Sequence, residues 1–399
     1  MFKKIIVCLV IILTIGTIVY FNYEKEELEI RQGEIQTGDS NQNKEVVIPD
    51  ETINIAVIGD IMCHNTQFQD AYNKGTDSYD FSYVFEDVKE YLSEPDLTIG
   101  NLETTFAGKS VGYSGYPTFN TPEVLAENLK NYGIDVLSTV NNHCMDKGIK
   151  GLQSTIDELD KLGIKHTGTF KTEEDANKIL TVDVNGIKIA IIAYTYGTNG
   201  ITVPSSYSYS VNLIDKDKIA KDIEKAKQED IDVLIAIMHW GIEYQTQPNN
   251  EQKELADFLF ENGVDIILGG HPHVLQTMEK RDIELVDGTH KDGFIVYSLG
   301  NFVSGQVKTY TKQSVILNIG LTKHNGESEK KITIDDVSYT PVYMHDSKGT
   351  PRYKLLDIRK NMKLYEDGET SISKTLYNTL VSEVEHIYSI MGDEIHKDQ

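Results

Sequence analysis

From residue 53 onwards, short apolar runs alternate with amphipathic segments in which apolar residues recur every three or four positions. Apolar runs that end at Gly, Asn or His predict buried strands, and the amphipathic segments predict helices. The predicted strands span residues 53–58, 134–140, 181–184, 187–193, 231–238, 264–268, 294–298, 315–321 and 332–343. The predicted helices span residues 122–132, 151–162, 215–228, 251–261 and 370–391. This alternation predicts an α/β protein whose helices pack outside its sheets.

Two features predict that the sheets are mixed rather than purely parallel. Asn185-Gly186 separates two predicted strands and is typical of a two-residue hairpin turn. The last two predicted strands, 315–321 and 332–343, also follow one another without a helix between them. The pattern is compatible with one domain or with two closely joined ones, and we favour one.

The N-terminal residues predict a membrane anchor rather than part of the fold. Residues 5–21 are almost entirely apolar, with Lys3-Lys4 before them and acidic residues after them. This arrangement favours an N-in, C-out orientation. Since no small residues mark a cleavage site, we favour an uncleaved anchor over residues 1–23 rather than a signal peptide. Residues 24–50 are polar and predict a linker. The anchor and its orientation together predict a single-pass protein of the cell membrane with an extracytoplasmic domain.

Composition excludes several classes of protein. The chain has 399 residues, of which 62 are acidic and 38 basic, for a formal net charge of −24. Binding to nucleic acid is not expected, because contacts to phosphate depend on Lys and Arg. Only Cys8, Cys63 and Cys144 are present, so the chain is not a disulfide scaffold. We favour free thiols over a disulfide between Cys63 and Cys144.

Five loops that follow apolar runs carry side chains able to bind metal ions. They are Asp60 with His64, Asn101 with Glu103, Asn142 with His143, His239 with Glu243, and His271 with His273. In an α/β fold such loops converge at one edge of a sheet. Carboxylate, imidazole and amide ligands together favour one or two divalent ions of Mn, Fe or Zn. The alternative role for Asn101 and Asn142 is in turns, and Trp240 is expected to be a packing residue at the rim.

Six motifs in order along the chain resemble the CapA/PgsA family of bacterial capsule synthesis proteins, which is associated with poly-γ-glutamate. They are Gly59-Asp60-Ile61-Met62, Gly100-Asn101-Leu102-Glu103, Asn141-Asn142-His143-Cys144-Met145-Asp146, His239-Trp240-Gly241-Ile242-Glu243-Tyr244, Gly269-Gly270-His271-Pro272-His273 and Tyr297-Ser298-Leu299-Gly300-Asn301-Phe302. That family in turn resembles the calcineurin-like metallophosphoesterases. The resemblance implies a four-layer αββα sandwich over residues 51–345, followed by a largely helical C-terminal extension over residues 346–399.

The same resemblance implies roles for individual residues. The metal ligands would be Asp60, Glu103, Asn142, His239, His271 and His273, and the catalytic residues His143, Asp146 and Glu243. His143 would protonate a leaving group or orient the substrate, and Asp146 would either orient His143 or cap the following helix. The chain departs from the calcineurin-like metallophosphoesterases at two residues of the first metal position. Met62 stands where they have His, and Asn101 stands where they have the bridging Asp. Glu103 is therefore our choice for the bridge, and a site with one ion stays open.

The function implied is that of a membrane-anchored, extracytoplasmic capsule synthesis protein of the poly-γ-glutamate type. Its metal site would act on phosphoester or amide bonds during polymer synthesis or export, together with other capsule synthase subunits and the polymer. Two alternatives are a general metal-dependent phosphoesterase or hydrolase and a non-catalytic, metal-stabilised scaffold of a synthase complex.

Overall fold

A computed structural model describes residues 49–392, except 285–287, 289, 327–330 and 370. The predicted anchor and nearly all of the predicted linker lie outside the described residues, as do the last seven residues. Among the helices that are described, none is both long and apolar enough to cross a bilayer.

The described residues form sixteen strands, ten α-helices and three short 3-10 segments. The strands are β1 Glu51–Ile61, β2 Tyr72–Asn73, β3 Ser78–Tyr79, β4 Leu97–Leu102, β5 Val136–Ser138, β6 Lys165–Thr167, β7 Leu180–Val184, β8 Ile187–Thr195, β9 Val233–His239, β10 Ile266–Gly270, β11 Leu275–Glu284, β12 His290–Leu299, β13 Asn301–Val303, β14 Gln313–Lys323, β15 Ile332–Asp346 and β16 Tyr353–Asp357. The helices are α1 Asn65–Asp70, α2 Ser82–Phe85, α3 Lys89–Ser93, α4 Val124–Asn131, α5 Gly148–Leu162, α6 Glu173–Ala176, α7 Lys216–Gln228, α8 Asn250–Glu261, α9 Ile358–Glu366 and α10 Lys374–Met391.

The strands build two large mixed sheets, as the sequence predicts. The first has the order β16-β15-β14-β1-β4-β5-β6, with β13 also paired to β1, and the second has the order β11-β12-β10-β9-β8-β7. In the first sheet, β1, β4, β5 and β6 are parallel as far as one edge, and β14, β15 and β16 form an antiparallel half. In the second sheet, parallel strands occupy the centre, and the antiparallel strands β7 and β11 form the edges. The predicted hairpin between β7 and β8 is confirmed, because Asn185 and Gly186 have φ values of 50° and 90°, as its two-residue turn requires.

Alternating side chains along the strands separate the layers. Ile55 and Val57 of β1 face the space between the sheets, together with Ile189 of β8. Ile58 of β1 packs on the opposite face of its sheet, in a cluster that includes residues of α4. Ile192 of β8 packs outward against α7 and α8. The helix–sheet–sheet–helix arrangement is therefore confirmed, and it follows from the period of two in the strands.

The C-terminal region contains one element that the sequence pattern does not reveal. Tyr353–Asp357 lies inside the segment predicted as a largely helical extension, yet it forms the edge strand β16 beside β15. Its five residues are too few to show a period. In α10, Leu380, Val384 and Ile387 are buried in the core between the sheets. The helical pattern of that segment thus reports burial against the main fold.

Both described cysteines are buried free thiols, as predicted. Burial raises the pKa of Cys63 and of Cys144 to about 12. In a variant with Cys8→Ser, we expect no reaction with a thiol reagent at about pH 8, because the thiolate is the reactive form. Two thiols should become reactive on unfolding in urea. Rapid reaction of either thiol in the folded protein would contradict this burial.

Candidate metal centre

The predicted ligand residues lie where parallel strands of both sheets end. Asp60 lies near the end of β1, Glu103 follows β4, and Asn142 follows β5 in the first sheet. His239 ends β9, and His271 and His273 follow β10 in the second sheet. Since β1, β4 and β5 are parallel neighbours, as are β9 and β10, their carboxyl ends meet at one edge. The structure brings together the five carboxylate and imidazole residues among them in two ligand groups.

Glu103 belongs to two groups of potential ligands at once. One group is Glu103 with His239 and His271, and the other is Glu103 with Asp60 and His273. Within each group the ligand atoms lie within 4.8 Å of one another, and every member is buried. Both carboxylate oxygens of Glu103 are buried without a hydrogen-bond partner, and so is Nδ1 of His271. Buried polar atoms without partners are rare in folded proteins, and these belong to the two groups that could hold a metal ion.

Asp60 is held by hydrogen bonds from three directions. It accepts one from Nδ2 of Asn101 at 2.7 Å and one from the backbone N–H of His271 at 3.1 Å. Nδ1 of His273 lies 3.2 Å from Oδ2 of Asp60. Burial raises the pKa of Asp60, but the hydrogen bond and the charge of His273, together with the bond from Asn101, outweigh it and lower the pKa to about 2. Asp60 is therefore ionised and oriented before any ligand binds.

The other groups of the centre have strongly shifted pKa values. Burial and the charge of Asp60 raise the pKa of Glu103 to about 8. Burial lowers the pKa of His239 to about 3 and that of His271 to about 2. Burial also lowers the pKa of His273, but Glu103 and Asp60 outweigh it and raise the value to about 9. The imidazoles of His239 and His271 are therefore neutral, which is the form that binds metal ions, and both lie close to the carboxyl group of Glu103.

Asn142 and His143 follow β5 and line the side of the centre that the first sheet forms. Oδ1 of Asn142 accepts a hydrogen bond from Nε2 of His239 at 2.8 Å. Nδ1 of His143 lies 2.8 Å from Oδ2 of Asp146, which also accepts a bond from the backbone N–H of Phe119. Asp146 does not cap α5, because Lys147 occupies the cap position. Of the two roles left open for Asp146, the structure places it in contact with His143.

Three other residues of the predicted motifs lie around the centre. Glu243 is exposed at its mouth and belongs to neither ligand group. His64 is also outside both groups, and its Nδ1 accepts a hydrogen bond from the backbone N–H of Gly305. Met62 is buried with its sulfur toward Ser304 and Gln306, at 3.9 and 4.0 Å. The position that the resemblance gives to an imidazole therefore carries a thioether that hydroxyl and amide groups contact.

The loop with His271 and His273 is strained. The two residues have φ values of 95° and 60°, in the left-handed region that side chains other than Gly rarely occupy. The strain is held by the bond from His271 to Asp60 and by a bond of 2.7 Å from the N–H of Tyr244 to the carbonyl of Pro272. Strained backbone of this kind is common at functional sites, where the surrounding structure maintains it.

Sequence analysis missed the contribution of the loop after β8. The ring of Tyr196 lies 4.4 Å from that of His271, and its side chain is 48% exposed. Nδ2 of Asn199 lies 3.4 Å from Nε2 of His143, and its Oδ1 accepts a bond from Asn142. Neither residue lies beside a histidine or a carboxylate in the sequence, so the only signal there is their position after a predicted strand. Because β8 pairs with β9, this loop lies beside His239.

The fold and the two ligand groups together define the class of the protein. It is an α/β protein with a candidate metal centre at the strand ends of two facing sheets. Residues 54–306 match the family described as bacterial capsule synthesis protein PGA_cap. The chain belongs to this family.

Individual relatives agree with this assignment. The chain is 30% identical over 303 residues to the capsule biosynthesis protein CapA of Bacillus anthracis, covering 71% of this chain and 69% of that protein. It is also 30% identical over 305 residues to the PGA biosynthesis protein CapA of Bacillus subtilis, covering 76% and 74%. Among solved structures, it is similar to the calcineurin-like phosphoesterase YfkN of Bacillus subtilis, with 16% identity, a TM-score of 0.40 and coverage of 86% and 99%.

Proposed function

We propose that the centre binds one or two divalent metal ions and acts on phosphoester or amide bonds during the synthesis or export of a poly-γ-glutamate capsule. The observation that carries this proposal is the position of Glu103, whose two buried oxygens have no partner and which belongs to both ligand groups. The names of the two CapA relatives support the capsule role.

The residues present fit such ions. Asp60, Glu103 and His273 would hold one, and Glu103, His239 and His271 the other. Mixed carboxylate and imidazole donors favour Mn, Fe or Zn over Ca or Mg, which prefer oxygen ligands alone. Bound ions of this kind would lower the pKa of a water molecule and stabilise negative charge on the reacting group.

His143 is suited to hold and deliver a proton at this centre. Burial lowers its pKa, but the hydrogen bond with Asp146 and the charges of Glu103 and Asp146 outweigh it, so the pKa is raised. Nδ1 lies at hydrogen-bond distance from Asp146, and in the described part of the chain only Asn199 has a polar atom at such a distance from Nε2. Nε2 is therefore the atom from which a proton would pass to a leaving group.

The proposal is tested by the metal content and the activity of the full chain. After purification with Mn, Fe and Zn present, we expect one or two ions per chain and slow hydrolysis of bis(4-nitrophenyl) phosphate. The same preparation of a His271→Ala/His273→Ala variant is the control and should hold less metal. A folded wild-type protein without bound metal would contradict the proposed centre.

We expect Asp146 to position His143. Replacing Asp146 therefore tests this role separately from metal binding. In Asp146→Asn, we expect kcat to fall about 10–100-fold while the metal content stays unchanged. Since Asp146 raises the pKa of His143, the limb of the pH–rate profile that reports this acid should move to lower pH. An unchanged profile with lowered activity would indicate a structural effect alone.

The location is also part of the proposal. The apolar residues 5–21 would hold the chain in the cytoplasmic membrane, with the centre outside and other capsule synthase subunits as partners. Deletion of residues 5–22 should release the protein from the membrane fraction. Retained membrane association would overturn the anchor.

A second candidate is a non-catalytic scaffold stabilised by metal. Met62 favours it, because a thioether is a poor ligand for a hard divalent ion and weakens the position beside Asp60 and His273. A strain that lacks this protein distinguishes the two candidates. The scaffold predicts that the Asp146→Asn variant, which keeps its metal, restores the polymer to the wild-type level, and the catalytic proposal predicts that the polymer stays below that level.

A further inference from the structure

The positively charged side chain of Lys308 lies near the solvent-exposed opening of the metal centre, which we call its mouth. Lys308 lies in the loop of residues 304–312, between β13 and β14, and its side chain is exposed. Its Nζ lies 3.6 Å from the centre of the Tyr244 ring. That ring lies 6.2 Å from the ring of His273. Lys308, Tyr244 and His273 therefore follow one another from the solvent to the centre.

Lys308 has no carboxylate partner among the residues that the structure describes. In the described ranges Lys308 forms no ion pair, although the chain has 62 acidic residues against 38 basic ones. Other lysines, such as Lys178 and Lys360, pair with neighbouring carboxylates. A lysine that lies on an aromatic face keeps its charge and its hydrogen-bond donors for a ligand.

The loop of Lys308 is held in place at both ends. On the side of the centre, the N–H of Gly305 donates to His64, and Nδ2 of Asn301 donates to Oε1 of Gln306 at 3.1 Å. On the other side, the Tyr310 ring stacks on His386 of α10 at 3.6 Å. Because the loop is already ordered, a ligand that binds Lys308 loses little free energy in arranging it.

We propose that Lys308 binds an anionic group of the substrate, a carboxylate or a phosphate, at a distance from the bond that lies at the metal centre. This inference rests on the proposed function. Tyr244 separates the ammonium group from His273, so one small anion would not reach both places. The exposed ring of Tyr196 lies 4.4 Å from that of His271 and offers apolar surface to the part of the substrate between the two charged groups.

Binding of three phosphonates to the metal-loaded full chain tests the inference. Hexylphosphonate is the reference, and 6-phosphonohexanoate and hexane-1,6-diphosphonate add a distant carboxylate or phosphonate. By titration calorimetry, we expect at least one of the two to bind about fivefold more tightly than the reference. The one that gains more identifies the preferred anion. Lys308→Gln should abolish the gain and Lys308→Arg should keep it.

Lys216→Gln is the matched control. Lys216 also lies over an aromatic ring, that of Phe258 at 5.0 Å, but on α7 at the outer layer. This variant should keep the wild-type preference. Equal binding of all three phosphonates by the wild type, or an equal gain in Lys308→Gln, would overturn the role of Lys308 alone. If no phosphonate binds the metal-loaded wild type, the proposed action of the centre on phosphoester bonds is refuted and the inference falls with it.

Discussion

Glu103→Gln is expected to lower the affinity for divalent metal by about 100-fold or more and to stabilise the metal-free protein at the same time. The carboxylate belongs to both ligand groups, so its loss affects either ion. Without metal, its two oxygens are buried beside Asp60 without a hydrogen-bond partner, and their ionisation costs free energy, which a neutral amide avoids. We expect the free energy of unfolding of the metal-free variant to exceed that of the wild type by about 1–2 kcal/mol near pH 8.

The pH dependence of this difference follows from the direction of the pKa shift. The pKa of Glu103 is raised from its usual 4.5 to about 8, so the folded protein holds this proton more tightly than the unfolded chain. The wild type therefore loses stability relative to the variant as the pH rises from 4.5 to about 8. Urea unfolding near pH 5 and near pH 8, after dialysis against a chelator, measures it.

Asp222→Asn is the control for Glu103→Gln. The buried carboxylate of Asp222 accepts hydrogen bonds from the hydroxyl of Tyr194 at 2.8 Å and from Nζ of Lys218 at 2.7 Å. Since this carboxylate is paired, its neutralisation should lower stability and leave the metal content unchanged. A Glu103→Gln protein that behaves in the same way would show that Glu103 has only a structural role.

Gly269→Ala is expected to destabilise the fold by about 3 kcal/mol or more. A Cβ at this position would overlap the backbone carbonyl of Tyr297 and lie 2.9 Å from Nε1 of Trp240. That nitrogen donates a hydrogen bond to the same carbonyl at 3.0 Å, so the strain would reach two strands. Thermal unfolding of the full chain measures the loss. The direct approach of β10 to β12 is thus the reason for Gly at this position.

Gly197→Ala tests whether the effect is specific to this contact. No heavy atom lies within 4 Å of a Cβ at Gly197, and its φ is not positive. Its replacement should change the free energy of unfolding by no more than about 0.5 kcal/mol. If both variants unfold at the same temperature, the close contact at Gly269 does not limit substitution.

The hydrophobic pattern was enough to predict the class of fold and most of its long elements. Residues 215–228 are predicted as a helix, and the helix observed is Lys216–Gln228 with Asp215 as its cap. Residues 53–58 are predicted as a strand, and Glu51–Ile61 is observed. Elements shorter than about two periods gave no such signal, as in Tyr353–Asp357. They form because a neighbouring strand pairs with them.

The candidate site divides in a similar way. The residue types after the strands indicated which side chains could bind a cation, and the family resemblance led to the choice of Glu103 as the bridge. Only the structure shows that Glu103 contributes to two groups, that Asp146 contacts His143 rather than capping a helix, and that Asn199 contacts His143. Such contacts join residues far apart in the chain, and a single sequence contains no record of those distances.

The sequence by itself determined the periods of the strands and helices, the order of the loops with metal-binding side chains and the acidic net charge, because each is a property of neighbouring residues. The tertiary structure alone decided which loops meet, which carboxylates lose their hydrogen-bond partners and which lysine keeps its charge at the mouth. Those properties depend on burial and on parallel strand pairing between distant segments, and they shift the pKa values that the centre uses.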